Sequence, residues 1–123
     1  MLNYWLTTAQ DDLETAETLI KAKKYHHALF FSHLALEKLI KGLVYKNTNN
    51  HPLPIHNLKR LATQAKLPFT VQQALDMKEM TSWNIEARYD DIKRKFYKKA
   101  AKEFTLRWWQ KVKGLFQWLK NQY

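Results

Sequence analysis

Apolar residues recur through the first half of the chain at steps of three and four, the spacing that keeps side chains on one face of a helix. From Tyr4 to Ala22 the series is Leu6, Ala9, Leu13, Ala16 and Ile20, with Asp11, Asp12, Glu14 and Glu17 mostly on other faces. This predicts an amphipathic first helix. The next stretch, Tyr25 to Tyr45, is apolar almost all round, and Ala28, Leu29, Ser32, Ala35, Leu36, Leu39, Ile40 and Leu43 share one face. Such a helix is expected to be buried, and the short connector Lys23-Lys24 predicts that it returns antiparallel to the first. Beside its apolar face runs a second row of His26, Phe30, His33, Glu37 and Lys41. Ionisable groups so placed need partners, because an unpaired charge in a low-dielectric interior is costly.

Punctuation then divides the rest. Residues 46–56 predict a long loop, since Asn47, Asn49 and Asn50 favour turns and Pro52 and Pro54 fix φ and lack a donor. Asn57 predicts the cap of a short third helix with Leu58, Leu61, Ala62 and Ala65 inward, closed by Leu67-Pro68. Thr70 predicts the cap of a fourth helix, which the less regular set Val71, Ala74, Leu75, Met77, Lys78 and Trp83 to Ile85 carries to near Ala87. Residues 92–101 read equally as a helical turn or an irregular connector. From Lys102 a last helix places Phe104, Trp108, Val112, Leu115 and Leu119 on one face, with Trp109, Phe116 and Trp118 off it. Those off-line aromatics point to a dimer or partner interface, with a wide face in a thick core as the blander alternative. The expectation is an all-α, up-and-down helical bundle of four to five helices, a single domain over residues 1–123.

Composition narrows this further. At 123 residues, 46% hydrophobic and 26% charged, with two glycines and three prolines, the chain suits one helix-rich globular core. The absence of cysteine excludes disulfides and thiolate metal sites. No basic n-region with an apolar core opens the chain, and no run reaches the roughly 18 apolar residues of a membrane span, so the expected location is cytoplasmic, without membrane association. Charge is unevenly placed. Residues 88–123 hold 11 Lys/Arg against 3 Asp/Glu, whereas residues 1–87 hold 10 against 8. A basic surface is therefore expected around residues 93–113, beginning with Lys93, Arg94, Lys95, Lys98, Lys99 and Lys102. It suits nucleic acid, an anionic nucleotide or an acidic protein partner, and an ordinary solvated helix face has the same composition.

Most catalytic constellations are excluded by inspection. Gly42 and Gly114 are far apart within helical patterns, so no glycine-rich phosphate loop exists, and there is neither a Gly-x-Ser-x-Gly elbow nor a His-Glu-x-x-His zinc pattern. His26 and His27 are adjacent and diverge on a helix. His33 and Glu37 have chelating spacing but lack further ligands, which favours a hydrogen-bonded pair over a metal. No catalytic residue, metal ligand or cofactor is assigned.

Three blocks, Ala35-Leu36-Glu37-Lys38-Leu39-Ile40-Lys41, His56-Asn57-Leu58 with Leu61, and Ala87-Arg88-Tyr89, followed by the tail FYKKAAKEFTLRWWQKVKGLFQWLK, resemble the HEPN domain family. The resemblance covers nearly the whole chain. It implies a compact helical bundle that usually dimerises and is often encoded beside a minimal nucleotidyltransferase. The family includes ribonucleases, toxins of toxin–antitoxin pairs, and members for which nucleotide binding was proposed. In such a bundle Glu37 is expected to accept hydrogen bonds from His56 or Arg88, with His33 or Lys41 as neighbours. As a structural network these groups tie the long loop and the turn after the fourth helix, Arg88-Tyr89, to the bundle. As a ligand site, Lys38, Lys41, Arg88 and Tyr89 hold a phosphate and a base. Catalytic members carry an Arg followed four to six residues later by His. Here His26, His27, His33, His51 and His56 all precede the first arginine, Arg60, so that motif is absent. The expectation is a non-catalytic binding module, homodimeric, paired with a minimal nucleotidyltransferase, binding nucleotide or RNA. The alternative is an RNA-cleaving toxin with a non-standard site, for example His56 with Arg88 across space.

Overall fold

The computed structural model describes residues 2–85 and 88–123. Within them run α1 (Leu2–Lys21), α2 (Tyr25–Thr48), α3 (Leu58–Gln64), α4 (Val71–Thr81), α5 (Asp90–Lys99) and α6 (Lys102–Lys120). The bundle is all-helical, as the periodicity implies, with more helices than the four to five expected.

The first two helices form a hairpin because Lys23 takes the left-handed conformation, at φ 60°, while the amides of Lys23 and Lys24 cap Ile20 and Leu19 carbonyls. α2 is the axis of the bundle. α1 packs along it, α6 lies against it, and α3 touches it on another side while contacting α4. Its core-facing side is buried from Ala28 and Leu29 through Leu36, Leu39, Ile40, Leu43 and Val44. Gly42 permits a close approach that no other residue would. A Cβ there would collide with the Tyr123 hydroxyl and lie 2.7 Å from Trp5 Cβ. Through that notch Tyr123 Oη donates to the Leu39 carbonyl at 2.5 Å, fastening the C-terminus to α2, and burial raises its pKa above the ordinary tyrosine value.

Four sequence expectations need correction or completion. α2 does not stop at Tyr45 but continues through Thr48, where left-handed Asn49 caps it by donating to Tyr45 O. The extra turn is held from outside: Asn47 Nδ2 donates to Ala65 O at 2.8 Å and Lys46 Nζ to Gln122 O at 2.8 Å. The loop therefore occupies only residues 49–57. α4 ends at Thr81 rather than near Ala87, which itself lies outside the described residues. Trp83 and Ile85 are buried from the connector that follows, so an apolar run there does not signal helix. Residues 90–99 are helical, with Asp90 and Asp91 at the positive end of the helix dipole and Lys98 and Lys99 at the negative end. In α6 the buried positions are Thr105, Trp109, Val112, Leu115, Phe116 and Leu119. Trp109 and Phe116 thus belong to the chain's own core, whereas Phe104, Trp108 and Trp118 are only partly covered.

Both expected caps form. Asn57 Oδ1 accepts from Arg60 N at 3.0 Å, and Thr70 with Gln73 makes a reciprocal capping box. Leu58, Leu61, Ala62 and Ala65 are all fully buried. No helix among the described residues is long and apolar enough to cross a membrane.

Candidate functional site

The polar row of α2 meets the 49–57 loop where that loop returns to start α3. Glu37 is at the centre, its side chain only 8% exposed. Its Oε1 accepts from His56 Nδ1 at 2.9 Å and its Oε2 from Lys41 Nζ at 2.8 Å. Each carboxylate oxygen has a charge-assisted or imidazole donor, which is what allows a carboxylate to be covered at modest cost. His33, one turn earlier, is fully buried, and its Nε2 donates to the backbone carbonyl of His56 at 3.0 Å. The two imidazoles meet edge to face, 6.5 Å between centroids. Side chain and main chain of His56 are thus both held by α2, one by Glu37 and the other by His33.

This bonding decides the state of His33. With Nε2–H spent on a carbonyl, Nδ1 is the bare nitrogen of a neutral ring, and it is buried with no hydrogen-bond partner. Protonation would strand a second donor. Burial accordingly lowers its pKa below the ordinary 6.5, against smaller upward pulls from the His56 carbonyl bond and from Glu37. Among the described residues no cluster of three or more His, Cys, Asp or Glu is able to hold a metal ion.

His56 is also the bridge to solvent. Its side chain is 61% exposed and lines a hollow of about 480 Å³ together with Phe30, Leu34, Ile55, Asn57, Thr81, Asn84 and Arg88. The residues arrive from four places. α2 supplies Phe30 and Leu34, the loop supplies Ile55, His56 and Asn57, and Thr81 closes α4. Asn84 and Arg88 come from the segment beyond it. Thr81 fixes two elements at once, its Oγ1 donating to Met77 O at 2.8 Å and accepting from Leu58 N at 3.1 Å. Arg88 Nε donates to Asn84 O at 3.4 Å, and the guanidinium's two terminal NH2 groups have no partner among the described residues. A second hollow, of about 560 Å³ beside Tyr45, Lys46, Asn49 and His51, has three of these four side chains engaged already. There His51 bonds Tyr45 and Lys46 bonds Gln122 O.

The residues singled out from sequence therefore separate into three places. His33, Glu37, Lys41 and His56 form one network, and Arg88 joins it only through the hollow that His56 lines. Arg88 makes no bond to Glu37. Lys38 points elsewhere, its Nζ 2.7 Å from Asp12 Oδ2 on α1. Tyr89 stands at the start of α5, 83% exposed. Of the basic set, Arg94, Lys95, Lys98, Lys99 and Lys102 are exposed and Lys93 is half-covered. Lys99 is paired with Glu79 at 2.8 Å. Sequence reasoning passed over Asn84 and Thr81. Thr81 is an ordinary helix-end residue and Asn84 lies three residues beyond it, and only the return of the loop to the end of α4 brings them to a common space.

The family model described as HEPN domain matches residues 2–122. The crystal structure of TT1696 from Thermus thermophilus is similar, with a TM-score of 0.79 and 18% sequence identity, over 99% of this chain and 98% of that one. At that identity the likeness is one of fold. No curated protein sequence matches the chain.

Proposed function

The chain belongs to the HEPN domain family, and from that premise we propose that it is a non-catalytic binding module for a nucleotide, free or within RNA. The observation that carries this is the hollow beside His56. It has an apolar floor of Phe30, Leu34 and Ile55, a rim of Asn57, Thr81 and Asn84, and the guanidinium of Arg88. An apolar floor takes a base, amides read its edge or the ribose, and a guanidinium takes a phosphate as a two-pronged donor. The buried network behind it serves to hold His56 in place. Titrating AMP and ATP to millimolar concentration is expected to raise the melting temperature by ligand linkage, and Arg88→Ala to abolish that rise without lowering the ligand-free melting temperature. An unchanged melting temperature in the parent protein overturns the reading.

The same reading includes a homodimer and a minimal nucleotidyltransferase partner, toxin–antitoxin fashion, with the basic face of α5 and α6 toward the partner's acidic or nucleotide-laden side. Val71 and Leu75, exposed apolar side chains one turn apart on α4, are the kind of surface that such an interface covers. Light scattering is expected to give the mass of two chains, and a monomer at micromolar concentration removes that part.

One observation favours a second reading, an RNA-cleaving toxin. His56 and Arg88 stand in the wrong order for the family's Arg-to-His motif, yet they line one hollow. With Nδ1 bonded to Glu37, the Nε2 of His56 is the nitrogen available for proton transfer, and a guanidinium nearby suits a developing phosphorane charge. Incubation with total RNA discriminates: cleavage that disappears in both His56→Ala and Arg88→Ala establishes the toxin and removes the binding module.

A further inference from the structure

A smaller hollow adjoins the one beside His56. It measures about 180 Å³ and is lined by His26, His27, Phe30, Ile85, Lys93 and Tyr97. Phe30 is common to both spaces, and the consecutive residues Asn84 and Ile85 line one each. The two hollows therefore sit side by side, separated by one phenyl ring and one stretch of connector.

Their walls differ in chemistry. The first offers a guanidinium and two amides beside Phe30, Leu34 and Ile55. The second is built of rings. The His26 ring lies 4.0 Å from Tyr97, tilted by 34°, and 4.1 Å from His27, tilted by 42°, so the adjacent histidines converge at their rings rather than diverge as expected. Tyr97 is 41% exposed and His27 is exposed, so this surface is reachable from solvent. Burial, then His27 and Lys24, lower the His26 pKa from 6.5, which favours the neutral ring. Lys93 precedes Tyr97 by one helical turn on the same side of α5 and brings an ammonium to the rim, as Arg88 brings a guanidinium to the first hollow.

We propose that the His26–Tyr97 hollow is a second base-stacking subsite, so that the ligand is a single-stranded nucleic acid of at least two nucleotides crossing Phe30, with its phosphates toward Arg88 and Lys93. This rests on the reading of the first hollow as a nucleotide site. A mononucleotide fills one space and leaves the ring-lined one empty. Two linked nucleotides fill both, and alternating ring surfaces and cations are the general means by which proteins hold single strands.

The test compares AMP, the dinucleotide ApA and a short fluorescein-labelled oligoadenylate at fixed low salt, by calorimetry for the first two and by anisotropy for the third. The expected result is at least about ten-fold tighter binding of ApA and the oligomer than of AMP. Tyr97→Ala and Lys93→Ala are expected to remove about that advantage while leaving AMP affinity unchanged, and Tyr97→Phe to retain it. Tyr97 is partly exposed, so the variants are expected to keep the parent melting temperature. AMP binding as tightly as ApA, or Tyr97→Ala weakening AMP and ApA equally, overturns the second subsite while leaving the first. Strand binding sensitive to Tyr97→Ala but indifferent to Arg88→Ala upholds the ring-lined subsite and removes the first. If neither ApA nor the oligomer binds, both fall.

Discussion

Two stretches of this chain are rich in charge and use it in opposite ways. On α2, His33, Glu37 and Lys41 are covered, and every one of them is bonded: to the His56 carbonyl, to His56 and Lys41, and to Glu37. On α5, Lys93, Arg94, Lys95, Lys98 and Lys99 stand on a helix that buries only Phe96 within its span. Lys99 alone of these reaches a carboxylate among the described residues. The contrast teaches which charges the fold depends on. An interior ion must be matched or the structure gives way, whereas a surface cation contributes little to stability and is free to meet something outside the chain.

The sharpest break of the comparison is Glu37→Ala. It removes the acceptor of both Lys41 and His56 at a site that is nearly sealed, and a loss of about 2–3 kcal/mol follows, on the order of a 10 °C drop in melting temperature. Glu37→Gln keeps the shape and one acceptor and is expected to fall between. A Glu37→Ala protein that melts with the parent would mean that the network is incidental to the fold.

Acid probes the same interior without mutation. His33 titrates lower in the fold than the ordinary 6.5 because burial disfavours its charged form. The unfolded chain thus takes up a proton on His33 at a higher pH than the native chain does, and the stability from keeping it neutral is complete above about 6.5. As pH falls below that value, stability declines until the folded pKa is passed. His26 is lowered too and adds in the same direction. His33→Asn should therefore flatten the fall in melting temperature between pH 7 and pH 5 relative to the parent, as read by circular dichroism. A parallel fall in both proteins assigns the acid sensitivity elsewhere.

How far this contrast was legible in the sequence depends on distance along the chain. The spacing of His33 and Glu37 predicts a hydrogen-bonded pair, yet His33 Nε2 lies 3.7 Å from Glu37 Oε1 and bonds the His56 carbonyl instead, while Lys41, one turn on, takes the carboxylate. The caps at Asn57 and Thr70, local to their own helices, form as predicted. Lys38 follows Glu37 directly and so turns about 100° away, which lets Asp12 of α1 claim it. α5 carried a readable signal in its acidic first turn and basic last turn. It was obscured because one buried ring, Phe96, makes no periodicity. In α6 two lines of large residues compete. Both include Val112 and Leu119, and the core took Trp109 and Phe116 with Thr105, a polar residue that no hydrophobic pattern counts. The hollow was the least legible part. Its walls come from α2, the loop, the end of α4 and the segment after it, and only tertiary contact brings them together.

On the outer side of the comparison, the smallest effect on folding is expected from Lys95→Ala with Lys98→Ala. Both side chains are exposed and neither is ion-paired among the described residues, so the double variant should hold the parent melting temperature to within about 0.5 kcal/mol in stability. Its consequence should lie in binding. Each lysine that neutralises a ligand phosphate adds roughly one unit to the salt dependence of affinity, so the slope of log affinity against log salt for oligoadenylate should become shallower by up to about two. AMP, which reaches neither residue from the His56 hollow, should bind the variant as before. An unaltered slope with unaltered stability would make these lysines a solvated face and nothing more. A lower melting temperature would mean that α5 needs its charges in order to fold, and the division between interior and exterior charge would then fail at its outer end.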